Sequence, residues 1–95
     1  MVFSLNNFLK KNKINTVDIL KIDTEGYEFT ILKSIFKKNF KKIRYIYFEH
    51  HYDLMLIKNY KFSNINKLLK KNNFKMVYKN KMNCRKTFEY IYEKI

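Results

Sequence analysis

At 95 residues, with 46% hydrophobic side chains, nine Phe and eight Tyr, the chain has apolar surface for one small packed domain and too little length for several. Its single cysteine, Cys84, excludes an internal disulfide and a cysteine-rich zinc site, which fits a reducing compartment. The formal charge of +13 invites a polyanion-binding reading, but all of the 21 cations except Arg44 and Arg85 are lysine, and arginine is the residue that reads bases and phosphates bidentately.

Heavy use of Lys, Asn, Ile, Phe and Tyr is also what AT-rich coding produces, and pairs such as Lys10-Lys11, Lys37-Lys38, Lys41-Lys42 and Lys70-Lys71 fall at expected helix ends. Nucleic acid is therefore not the expected partner. The start Met1-Val2-Phe3 is broken at once by Ser4, Asn6 and Asn7, unlike a signal peptide. No apolar run approaches the roughly 20 residues that span a bilayer. A soluble, cytoplasmic protein is the expectation.

In chain order, Ser4 is placed to cap a short helix with Leu5, Phe8 and Leu9 on one face. Val17 to Ile22 is apolar and partly β-branched, and reads as a strand running into Asp23. The turn Asp23-Thr24-Glu25-Gly26 holds the only glycine, and Ile31, Leu32, Ile35 and Phe36 then repeat at helical spacing. A second strand, Ile43 to Phe48, ends in Glu49-His50-His51. Residues 52–62 read as irregular, with aromatic anchors at Tyr52, Tyr60 and Phe62. Ser63 is expected to cap a helix with Ile65, Leu68 and Leu69 inward, and strands at 74–78 and 87–92 close the chain around the polar loop 79–86.

The order α-β-α-β-α-β-β implies an α/β fold. Two crossovers should set three strands parallel, and a loop too short for a crossover should make the closing strand antiparallel, giving a mostly parallel sheet with one antiparallel closing strand.

Ligands of open α/β sheets bind beyond the carboxyl ends of the strands. Two clusters fall there, Asp23-Thr24-Glu25-Gly26 and Glu49-His50-His51. Their carboxylate and imidazole groups could bind a metal, position a hydroxyl or act as a general base. If the second strand runs on to residue 51, Glu49 and His51 share a face and His50 takes the other. Asp23 and Glu25 could equally cap the helix that follows. Lys21, on an otherwise apolar strand, needs a carboxylate partner, a route to solvent or a ligand.

The run from Asp18 to Lys33, Asp-Ile-Leu-Lys-Ile-Asp-Thr-Glu-Gly-Tyr-Glu-Phe-Thr-Ile-Leu-Lys, closely resembles the hallmark of FkbM-like methyltransferases. The later pieces Phe48 to Tyr52, Tyr60 to Phe62 and Thr87 to Glu93 agree in order. The resemblance implies a Rossmann-like enzyme that moves a methyl group from S-adenosylmethionine to a hydroxyl of a glycan, lipid or secondary metabolite. By position it places Asp23 beside the methyl donor, and it leaves Glu25, Glu49 and His51 as candidates for the base that takes the hydroxyl proton. The family's glycine-rich turn and the acidic residue after its second strand have no counterpart in these 95 residues. The expectation is a partial domain, residues 1–95, without the cofactor-binding half: a truncated gene, a misplaced start or one part of a split enzyme. An N-terminal partner or self-association would then complete it. Two other classes compete: a non-catalytic basic polyanion-binding module, and a small metal-dependent enzyme using Asp23, Glu49 and His51.

Overall fold

A computed structural model describes residues 5–22, 28–51, 61–82 and 87–95. The chain runs in the order α1 (Leu5–Lys11), β1 (Val17–Ile22), α2 (Glu28–Ser34), α3 (Lys37–Phe40), β2 (Ile43–His51), α4 (Phe62–Lys71), β3 (Phe74–Lys81) and β4 (Thr87–Lys94). Ser4, the expected cap of α1, lies outside the described residues, as do 23–27, 52–60 and 83–86, the last including Cys84.

The four strands form one mixed sheet in the order β1-β2-β4-β3. β1 and β2 are parallel, with Val17 opposite Ile43 and Ile22 opposite Phe48. β4 is antiparallel to both β2 and β3. Strands β1, β2 and β3 therefore point one way and β4 the other, but two of the three pairings are antiparallel. This corrects the expectation of a mostly parallel sheet: the reversed strand does not close the sheet at its edge but enters between β2 and β3.

Burial explains the insertion. Tyr90 and Tyr92 of β4 are fully buried, and their rings stack on Phe48 of β2 at 5.4 and 5.8 Å between centroids. Aromatic side chains of that size contribute most where both neighbouring strands and a covering helix exclude water. β3, in contrast, is exposed at every position after Phe74, which suits an edge strand.

One face of the sheet is covered by helices. Leu32 of α2 and Ile65 and Leu69 of α4 are buried in one cluster with Ile46, Phe48, Tyr90 and Tyr92. Each fully buried side chain of this size contributes about 1.5–3 kcal/mol. The crossover between β1 and β2 is not the single helix that the spacing of Ile31, Leu32, Ile35 and Phe36 suggests. It breaks at Ile35, Phe36 becomes the extended N-cap residue of α3, and its ring is 57% exposed. The break is held from α1. Asn6 Oδ1 accepts from the Phe36 amide at 2.9 Å and from Asn39 Nδ2 at 2.7 Å, and Asn6 Nδ2 donates to the Ser34 carbonyl at 2.8 Å.

Two smaller expectations shift. In α1, Leu5 and Leu9 are buried but Phe8 is 44% exposed, so the inward face is narrower than the sequence suggests. α4 starts at Phe62, not after a Ser63 cap, because Asn64 Oδ1 accepts from the Lys61 amide at 2.7 Å and so closes the first turn two residues earlier. Among the described residues no helix is long and apolar enough to cross a membrane.

Candidate active site

The parallel pairing that sets Ile22 beside Phe48 brings the end of β1 next to Glu49. β2 continues through Glu49, His50 and His51, which pair with Glu89, Phe88 and Thr87 of β4. The strand thus runs on to residue 51, the condition under which alternation separates Glu49 from His50. Asp23 and Glu25 lie outside the described residues, and for His51 the backbone position opposite Thr87 is what is described. Of the four candidate catalytic residues, Glu49 is the one whose side-chain contacts can be given.

Glu49 stands on the face of the sheet away from α2 and α4, in a band of tyrosines and carboxylates. Tyr47 donates to Glu89 Oε2 at 2.7 Å and lies 3.4 Å from Glu49 Oε1. Glu89 Oε1 also accepts from Tyr78 and from Asn80 Nδ2, each at 3.2 Å, and Tyr45 donates to Glu93 at 2.7 Å. The Tyr47 phenol is pushed well above its ordinary range by burial and then by its bond to Glu89. The Glu89 carboxyl is held below the usual carboxylate range by the hydrogen bonds from Tyr47 and Asn80, against an opposing effect of burial. Lys21 faces the same band, exposed, with its ammonium 5.5 Å from the Tyr47 ring centroid. Its required outlet is therefore solvent and an aromatic face, and its charge helps keep Glu89 ionised.

On the helix-covered face His50 is 1% exposed, and its Nδ1 lies 3.6 Å from Oε2 of fully buried Glu28. The Phe62 ring sits 5.8 Å from the imidazole and stacks on Tyr90 at 4.4 Å. Glu28 was not singled out by the sequence, although a clue was present: it lies four residues before buried Leu32, on the inward face of α2. A buried carboxylate beside an imidazole can fix ring orientation and tautomer, so this pair ties the first turn of α2 to the end of β2.

The rim thus carries acid and phenol oxygens on one face and an imidazole–carboxylate pair on the other. Carboxylate and aromatic groups are the chemistry that suits a sulfonium or ammonium cation. Among the described residues no group of three His, Cys, Asp or Glu side chains is arranged to hold a metal ion. The metal reading of Asp23, Glu49 and His51 includes Asp23, which is outside that set.

In open α/β sheets, ligands bind beyond the carboxyl ends of the strands. Residues 1–76 match the family model of the FkbM methyltransferase domain, and the chain belongs to that family. No curated protein matches the chain. No solved structure matches it.

Proposed function

We propose that this chain contributes the acceptor side of a methyltransferase that uses S-adenosylmethionine to methylate a hydroxyl group, most simply on a glycan, lipid or secondary metabolite. The carrying observation is the register that sets Ile22 beside Phe48. β1 ends at Ile22 and its parallel neighbour β2 runs on to His51, so both strands end on the same side of the sheet, which supports Asp23, Glu25, Glu49 and His51 acting at one rim. Three co-directional strands with one reversed strand also support reading residues 1–95 as the C-terminal half of a Rossmann-like methyltransferase sheet.

S-adenosylmethionine supplies an electrophilic methyl group on a cationic sulfur. In this reading Asp23 lies beside the donor, and the carboxylates of the rim favour its positive charge. One of Glu25, Glu49 and His51 takes the acceptor's hydroxyl proton, while the rim aligns the oxygen for in-line attack, where alignment supplies much of the acceleration. With Gly26 the only glycine, these residues hold no glycine-rich turn for the methionine and ribose moieties, which are then held by residues outside the 95.

Amide resonances of the whole chain titrated with S-adenosylmethionine test this. At millimolar ligand, where weak binding registers, shifts should concentrate at Leu20 to Glu25 and Phe48 to His51, and Asp23→Asn should abolish them. Shifts confined to the opposite end of the sheet, or unchanged by Asp23→Asn, would overturn the assignment.

A further inference from the structure

At the other end of the sheet, where β2 begins, a cleft of about 270 Å³ opens between α1 and α3. Its walls are Asn6, Asn7 and Lys10 from α1, and Phe36, Lys38, Asn39 and Lys42 from the crossover between β1 and β2. We propose that this cleft binds a diphosphate group, with Lys10, Lys38 and Lys42 on the phosphates and the exposed Phe36 ring beside a nucleoside base.

The positive charge around the cleft is a local feature of two segments. Residues 5–17 and 29–48 contain no Asp or Glu, so the two segments that build the cleft supply cations alone. The described carboxylates lie elsewhere: Glu49, Glu89 and Glu93 on the open face, Glu28 buried against His50, and Asp18 on β1. None lines the cleft, and none of its three lysines forms an ion pair among the described residues. Three ammonium groups around one concavity repel one another, and a multivalent anion relieves that repulsion.

The floor is fixed in advance. Asn39 is 3% exposed and bonded to Asn6, which also holds the Phe36 amide and the Ser34 carbonyl. Preorganised walls lose little freedom on binding. At about 270 Å³ the cleft has room for two linked phosphates. Phe36 adds a flat apolar surface beside the cations, the combination that receives a stacked base next to its phosphates.

Calorimetric titration of the whole chain with inorganic pyrophosphate and with adenosine diphosphate separates the sources of that group. Changing Lys10, Lys38 and Lys42 together to Gln should weaken both ligands by about tenfold or more, given the loss of three nearby charges. The same loss of charge at Lys61, Lys67 and Lys81, exposed residues that do not line the cleft, should change either by less than about twofold, because charges off the site are screened by solvent and salt. Phe36→Ala should remove any advantage of adenosine diphosphate and leave pyrophosphate unaffected; equal binding of the two ligands by the unaltered chain would reduce the proposal to the diphosphate alone and overturn its nucleoside part. No binding of either ligand, or equal weakening by the two lysine triples, would overturn the site. Circular dichroism of each variant shows whether the fold is retained.

Discussion

Glu28 and His50 meet at 3.6 Å in the interior, one from the first turn of α2 and the other from the next-to-last residue of β2. The contact spans a crossover and fixes the helix that follows Asp23-Thr24-Glu25-Gly26 against the strand that carries Glu49. Glu28→Ala removes the carboxylate and leaves a void, and should cost about 2–4 kcal/mol in urea unfolding. Glu28→Gln keeps the volume and should cost less. A loss under about 0.5 kcal/mol for the alanine variant would show that the pair does not hold the two elements together.

The hydrogen bond from Tyr47 to Glu89 should give stability a defined pH window. The folded-state value of Glu89 is depressed, so its contribution is present above the ordinary carboxylate value of 4.5 and is lost as pH falls through the lower folded value. That of Tyr47 is raised, so its contribution is present below 10.0 and is lost as pH rises toward the higher folded value. Tyr47→Phe should therefore lower stability by about 1 kcal/mol between roughly pH 5 and 9, with the difference from the unaltered chain shrinking on both sides. A difference in melting temperature that stays constant from acid to alkaline pH would contradict the pairing.

β1 lies at one edge of the sheet, and its Ile19 is 56% exposed. An apolar strand with one open edge is a template for another chain, either a second copy or a separate N-terminal segment. Sedimentation at increasing concentration should show self-association of the unaltered chain. Ile19→Lys should reduce it, since a lysine on an edge strand disfavours pairing. Association of equal strength in both proteins would place the contact elsewhere.

Isothermal titration with S-adenosylmethionine should give no one-to-one micromolar binding by these 95 residues, and labelled methyl groups should not be transferred by them alone. The rim offers partners to the sulfonium and the acceptor, but the remaining polar groups of the cofactor find none in a sequence with a single glycine. Clear micromolar binding would reveal a cofactor site built from other residues of this chain.

Much of the fold was legible because it is written locally. The β-branched run at Val17 to Ile22 and the alternation of Thr87 to Glu93 announce strands, and the buried Leu5 and Leu9 mark α1. The break after Ile35 was not legible, because the apolar spacing continues to Phe36 while the residue that fixes the break, Asn6, is 30 positions away. The place of β4 was hidden for a similar reason: a short connection dictates antiparallel pairing with β3 but leaves open which side of β3 is taken. Burial of Tyr90 and Tyr92 against Phe48 decides that, and it is a tertiary fact. At the site, alternation correctly separated Glu49 from His50, whereas Glu28 was overlooked because a carboxylate in a first helical turn is usually solvated.

The insertion of β4 also sets the order in which the molecule can assemble. β1, the crossover and β2 can pair as soon as residue 51 has been synthesised, but β3 has no strand beside it until residues 87–94 arrive, and those residues must then enter a slot flanked on both sides. Two of three ladders, and the burial of both tyrosines, thus depend on the final segment. Folding should be a late, cooperative event governed by closure of this distant contact, and nascent chains stopped short of β4 should expose Phe48 and Phe74 to chaperones and proteases.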